Sequence, residues 1–466
     1  MKKMQNFWGF DVWGSFHVFT VLLVSLLVAN MLKKNIKLLQ ASLIPTSVLG
    51  GGLLVVVAGI YKAFTGDIMF DSAFFGGNGT ATLETLTYHT LALGFIAGSF
   101  KASKGKLTKK RTGEIFNTGV TTVSTYLLQA VVGFAITIIA ALVLKGFFPA
   151  AGVLLPFGYG QGTGQAMNYG TIYETEYGFI DGKSFGLTIA ALGFLSASIG
   201  GVIHLNVLRK QGKIQTKKVE EGVIHAEDIQ SANEIPMQES IDKMTIQIAL
   251  IALAYLLAYL LMHLLGMLLP GMKSVIFGFN FLLGVLAATL VKAVMNFLMK
   301  KNVIKKEYTN DFLMTRASNF FYDIMVVAGM AAIRLSALEK YWGIMLILGV
   351  AGLTVTYVYN RIVARVLFPE YEQEQFLAMY GMLTGTASTG VILLREIDGE
   401  FKSPASDNLV YQNFPAIVFG FPLMLLATLA PQKPYLTLII LFAFFLVMNI
   451  ILFRSKIFQK KKVTVK

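Results

Sequence analysis

The chain contains no cysteine, which excludes disulfide bonds, thiolate metal sites and cysteine nucleophiles together. Histidine is nearly as scarce, at 5 in 466 residues. His17, His89 and His263 stand isolated, with no ligand spacing and no H-E-x-x-H pair. Neither a zinc-protease centre nor a Ser-His set is therefore expected, and the chain reads as a non-enzyme with no organic cofactor. Charge is sparse too: 14% of residues are charged against 55% hydrophobic, and the mean hydropathy is +0.64. Soluble domains do not use residues this way. The balance is basic, +14 at pH 7, but Lys and Arg sit at the ends of apolar runs and form no aromatic-interleaved basic face. Nucleic acid is thereby excluded as a partner.

Long apolar runs are what the sequence has in quantity. Spans are expected near 15–32, 43–63, 86–100, 115–144, 184–208, 245–268, 274–299, 318–338, 342–367, 407–430 and 434–453, and most are long enough to cross about 30 Å of hydrocarbon. The first run ends in Lys33-Lys34 with no small-residue cleavage site, as a stop-transfer flank does. Most of the 40 Lys and Arg residues fall on one face if the N-terminus is outside and the C-terminus cytoplasmic, the arrangement the positive-inside rule selects. That assignment requires two glycine-broken apolar segments, near 150–168 and 376–394, to enter and leave the bilayer from the same side. The expected fold is all-α and polytopic, with two inverted five-span repeats (15–208 and 244–430). Each carries a re-entrant loop, a charged cytoplasmic linker (209–243) separates them, and an eleventh span with a basic tail (434–466) follows.

The first broken segment reads Pro156-Phe-Gly-Tyr-Gly160-Gln-Gly162-Thr-Gly164-Gln-Ala-Met-Asn168. Alternate glycines destabilise a helix by about 1 kcal/mol each relative to alanine. Broken backbone at membrane depth survives only inside protein or along a water-filled cavity. There, carbonyls suit a cation and helix N-termini suit a carboxylate. Helix-packing motifs space their small residues by four instead of two. The glycines do not make a dinucleotide fingerprint, because Thr163 and Gln165 stand where G-x-G-x-x-G needs glycine. Gly182-Lys183-Ser184 likewise lacks the glycine a phosphate loop requires, having Tyr177 in its place. These features mark Gly160, Gln161, Gly162, Thr163, Gly164 and Asn168 as candidate solute-binding residues. The second segment contributes Thr384, Gly385 and Thr386 to the same set, with Ser388 and Thr389 as hydroxyl ligands for a hard cation. Asp323, inside the eighth span, is a further candidate sodium ligand, since an unpaired carboxylate there costs roughly 2.5–3.5 kcal/mol. Arg334 lies eleven residues on along nearly the same helix face, about 16 Å away.

The run Gly160-Gln-Gly162-Thr-Gly164, followed by Tyr177-Gly178-Phe179 and a span ending Gly200-Gly201, resembles the bacterial sodium/glutamate symporter family. So does Ile44-Pro45-Thr-Ser-Val-Leu-Gly50-Gly51. The resemblance covers about residues 15–430. It implies inverted five-span repeats with loops meeting near the midplane, a homodimer in the cell membrane, and sodium-coupled uptake of glutamate. Gln161 stands where that family carries histidine, the second loop is poorer in glycine, and the eleventh span is additional. These departures widen the expected solute to small anionic amino or organic acids. Proton coupling through Asp323 is the alternative within transport, and an intramembrane enzyme the alternative outside it.

Overall fold

A computed structural model describes residues 7–100, 108–212, 233–237, 240–270, 273–278, 280–398 and 402–457. The helices in chain order are α1 (Phe10–Asn35), α2 (Lys37–Ala41), α3 (Thr46–Thr65), α4 (Gly79–Ser99), α5 (Lys109–Val143), α6 (Leu154–Tyr177) and α7 (Gly182–Lys210). They continue with α8 (Lys243–Leu268), α9 (Lys273–Gly278), α10 (Asn280–Lys300), α11 (Asp311–Ala331), α12 (Leu335–Leu367), α13 (Glu372–Thr384) and α14 (Ala387–Arg395). The last are α15 (Ala405–Tyr411), α16 (Asn413–Leu429), α17 (Pro434–Leu452) and α18 (Arg454–Ile457). Several starts are fixed by short polar caps. The Thr108 side chain accepts from Arg111 N–H, Asp242 from Met244 N–H, and Asn310 from Leu313 N–H. An isolated parallel bridge joins Glu234 and Glu307.

Eight of these helices are long and apolar enough to cross a membrane, so the protein is an all-α, multi-pass membrane protein. They correspond to α1, α3, α5, α7, α8, α10, α12 and α17. Three of the eleven expected spans fall short for physical reasons. Helices α4 and α11 have 21 residues each, but α4 is diluted by threonine, Glu84 and His89, and α11 by Arg316 and Asp323. In α16 the apolar stretch is the shorter Pro415–Leu429. Helix α7 is the internal one: 67% of its apolar window is buried, against 22–39% in the other seven.

The chain forms two compact units, and neither coincides with a half of the sequence. One comprises residues 1–31, 46–106 and 219–332; the other comprises 32–45, 107–218 and 333–466. In the first, Ile96, Ala97, Phe100, Ile251, Ala254, Ala288, Val291, Met314 and Ala317 form a buried apolar cluster joining α4, α8, α10 and α11. Small residues bring its helices close: Gly94 faces the Tyr322 ring, and the Ser318 hydroxyl donates to Gly94 O at 2.9 Å. The end of the charged linker is docked on this unit. Lys243, fully buried, pairs with Glu234 at 2.7 Å, and the same Glu234 Oε2 accepts from Asn310 Nδ2 at 2.6 Å. Ile235 N–H donates to Glu307 O, and Glu307 N–H to Asn233 O.

The second unit is built around α7, with α5, α6 and α12–α17. Helix α17, the additional span, runs beside α5. Its Asn449 accepts from Tyr359 Oη at 2.8 Å, and Arg454 beyond its end donates to Asn117 Oδ1 at 2.9 Å.

Candidate functional site: two helical fold-backs on one turn of α5

Helix α6 is interrupted at Gly162, whose backbone sits at φ 78, ψ −171, a region that is essentially glycine-only. The chain reverses there. Phe157 and Tyr169 stack with ring centroids 3.9 Å apart, although twelve residues of straight helix would separate them by about 18 Å. Phe148 and Phe179 stack at 4.7 Å further from the tip. Helix α7 touches both arms: Gly158 abuts Ile189 and Ala190, and Gly170 abuts Gly182 and Lys183. So residues 154–161 run in along α7 and residues 163–177 run back.

A second fold-back joins α13 to α14. Gly385 (φ −146, ψ −105) ends α13 and extended Thr386 opens α14. The arms meet without side chains between them, since a Cβ on Gly381 would lie 2.8 Å from Gly390 Cα.

The two tips are held side by side. Tyr126 Oη donates to Gly160 O at 2.9 Å, and Gln129 Nε2 donates to Leu383 O at 2.9 Å. Each carbonyl lies two residues before its break, and the two donors are i, i+3 neighbours on one face of α5. On the other side, Gly193 of α7 touches both arms: a Cβ there would be 2.5 Å from Thr384 O and 3.2 Å from Tyr159 Cα. Tyr159 is locked beneath, donating to Gly349 O at 2.6 Å and bonded to Ser196 Oγ at 2.8 Å. Since the closest atom met at Gly193 is the main-chain Thr384 O, Gly193→Ala is expected to destabilise by about 1–3 kcal/mol through overpacking. A lowered melting temperature of the detergent-purified protein checks this. Gly113→Ala, with open space around its Cβ, is expected to be neutral or to gain up to about 1 kcal/mol.

A buried polar stripe on α5 leads to the tips. Thr118 accepts from Gln375 Nε2 at 3.2 Å, Thr122 donates to Gln412 Oε1 at 2.8 Å, and Thr125 accepts from Asn360 Nδ2 at 3.3 Å. Gln129 completes it with a bond to Thr356 Oγ1 at 2.8 Å. Ion pairs lie towards the base of the second fold-back, where Arg361 pairs with Glu372 and Arg209 with Glu396 at 3.3 Å. There His204 contacts Tyr357 Oη at 2.7 Å and the Gln373 amide at 2.9 Å.

The structure brings most of the candidates together. Gly160, Gly162, Thr163 and Gly164 are buried at the first tip, with Gln161 half-buried beside them and Asn168 buried in the returning arm. Thr384 is fully buried, but its hydroxyl donates back to Tyr380 O at 2.6 Å, so it is committed to its own helix. Thr386 and Thr389 place their hydroxyls 3.4 Å apart at the second tip. The Ser388 side chain lies outside the described residues. Asp323 belongs to the other unit, where it hydrogen-bonds Ser47. Arg334 is the N-cap of α12, its N–H donating to Ser184 Oγ at 3.0 Å.

Several residues at the tips escaped sequence reasoning: Tyr126, Gln129, Tyr159, Gln165 and Gly193. A signal for one of them, Gln129, was present. Thr118, Thr122, Thr125 and Gln129 recur every three or four residues inside an apolar span, which marks one polar face of a helix. No such pattern flags Gly193 or Tyr159.

Chemically, the tips offer neutral amides, hydroxyls and the start of two helices, residues 163–177 and α14. Such N-termini favour an anion, and freed carbonyls and hydroxyls favour a hard cation. No family model and no curated protein matches this chain.

Proposed function

We propose that the protein is a secondary active transporter that couples sodium entry to uptake of a small anionic amino or organic acid, of which glutamate is the reference member. The observation that carries this reading is the pinning of two fold-back tips to neighbouring positions of α5 by Tyr126 and Gln129. Paired interrupted helices supply what alternating access at a membrane midplane needs: donors for an anion, oxygens for a cation, and broken backbone enclosed by protein. In this reading the two fold-backs are re-entrant, the first from outside and the second from the cytoplasm. The halves are inverted five-span repeats, and α17 is an eleventh span. The protein works as a homodimer in a bacterial inner membrane, N-terminus out and C-terminus in.

Uptake of labelled acids into proteoliposomes under separate sodium and proton gradients tests the proposal. Sodium-driven uptake of at least one small anionic acid is expected. Uptake driven by protons alone and lost in Asp323→Asn would replace sodium by the proton; uptake under neither gradient would sink the transporter reading. Thr389→Val is expected to raise the sodium concentration for half-maximal uptake about five- to tenfold, the loss of one hydroxyl oxygen from the cation's ligands at roughly 1–1.4 kcal/mol. Affinity for the acid at saturating sodium should change much less.

A further inference from the structure

The returning arm of α6 opens at Gly162, so Thr163, Gly164 and Gln165 are its first three helical residues. Side chains on a helix lean toward its N-terminus, which aims Gln165 at the tip. Tyr169 and Tyr173, four and eight residues on along the same face, donate to Met424 O and Ala427 O of α16. One turn deeper, Gln165 does nothing of the kind. It is 1% exposed, and both its Nε2 and its Oε1 are buried with no protein partner.

That condition sets it apart. The other buried amides of this unit are at least half committed: Gln129, Asn360 and Asn408 all have their NH2 groups bonded, and Gln375 and Gln412 use both ends. A glutamine three residues after a helix cap also has a ready local use, bonding back to the cap N–H, and Gln165 does not take it. Desolvating an amide without pairing it is unfavourable, and a leucine or methionine would fill the same volume without that penalty. The position therefore keeps an amide for a group that comes and goes.

We propose that Gln165 is the specificity-determining residue of the first fold-back. It reads a head group that both accepts and donates hydrogen bonds, the carboxylate and ammonium of an α-amino acid. The inference rests on the transporter reading and deepens it. Nε2 donates to a carboxylate oxygen beside the helix N-terminus, while Oε1 accepts from the ammonium. An acid of the same length without the amine leaves Oε1 unpaired, and a site built around such a group discriminates against the analogue that lacks the partner.

The test compares L-glutamate with glutarate, its amine-free counterpart, in proteoliposomes of the wild type and of Gln165→Met, by direct uptake and by mutual competition. The wild type is expected to prefer L-glutamate at least tenfold. Gln165→Met should weaken L-glutamate ten- to a hundredfold and glutarate no more than a few-fold, so that the preference collapses. Its melting temperature should not fall, because the substitution removes an unpaired buried amide; that readout separates lost recognition from lost folding. A Gln165→Met protein that keeps the wild-type preference overturns the assignment and leaves the transporter reading standing. A variant that weakens both acids equally, or melts lower, makes Gln165 a structural residue and overturns it too. A wild type that takes up neither acid overturns the assignment, and one that takes up no labelled acid of any kind under either gradient overturns the transporter reading as well.

Discussion

Gly162→Asn is expected to reduce uptake at least tenfold and to destabilise the protein by about 1–3 kcal/mol, whereas Gly178→Asn should be close to neutral. Both glycines have positive φ, 78 and 69, but they differ in ψ. Gly178 caps α6 in the left-handed region (ψ 23), which asparagine enters with little strain. Gly162 sits at ψ −171, where any Cβ is strained by about 1–3 kcal/mol. The strain falls at the one residue about which α6 reverses. An accommodating shift would move Gly160 O from Tyr126 and carry the tip away from the second fold-back. Thermal unfolding of the purified pair and initial uptake rates read the two effects separately. Equal stability of the two variants would mean that α6 does not turn at Gly162.

Lys243→Met should be more destabilising still, by about 3–5 kcal/mol, the range for removing one partner of a buried ion pair. Lys243 is fully buried and Glu234 is 11% exposed. Without the ammonium, Glu234 would retain a charge that the neutral Asn310 amide does not balance. The linker segment it anchors, 233–237, would lose its buried ion pair and keep the main-chain bonds of Asn233 and Ile235 to Glu307. The double variant Lys243→Met with Glu234→Gln should recover most of the loss, because a neutral glutamine still accepts from Asn310 and strands no charge. Denaturation of the three proteins in one detergent decides the matter. A single variant as stable as the wild type would show that the linker end is not clamped by this pair.

The first fold-back was legible in the sequence because glycine at alternate positions is a local property, and the second because Gly381, Gly385 and Gly390 stand among clustered hydroxyls in an apolar run. A helix that cannot continue through Gly158, Gly160, Gly162 and Gly164 must break somewhere near 162. Eight of the eleven expected spans were legible for a similar reason, since apolar length is read in a window. What stayed hidden depends on partners far along the chain. Asp323 was grouped with the loops on chemistry alone, yet it lies with Ser47 in the other unit, and nothing in either neighbourhood announces that. Thr384 looked like a free ligand but spends its hydroxyl on Tyr380 O, a bond sequence cannot distinguish from a bond to solute. Gln165 passed as one residue in a motif, because only the packed structure shows an amide with neither end engaged. The interleaving of the two units was invisible for the same reason: sequence order separates the halves, while packing takes early and late helices from each.

The polar stripe on α5 has a consequence for biogenesis. Its bonds reach forward by 227 residues from Gln129 to Thr356 and by 290 from Thr122 to Gln412. At about 5–20 residues per second of synthesis, α5 is complete for roughly 15–60 s before Gln412 emerges. In that interval the threonine hydroxyls can bond only back to their own helix, as Thr122 does to Thr118 O, and the Gln129 amide waits for Thr356 and Leu383 O. The hairpin-bearing unit is thus a late-closing structure, sensitive to ribosomal pausing and to premature termination. Chains that stop before α12 leave the Gln129 amide without either of its acceptors, an unpaired group in the bilayer for quality-control proteases to recognise.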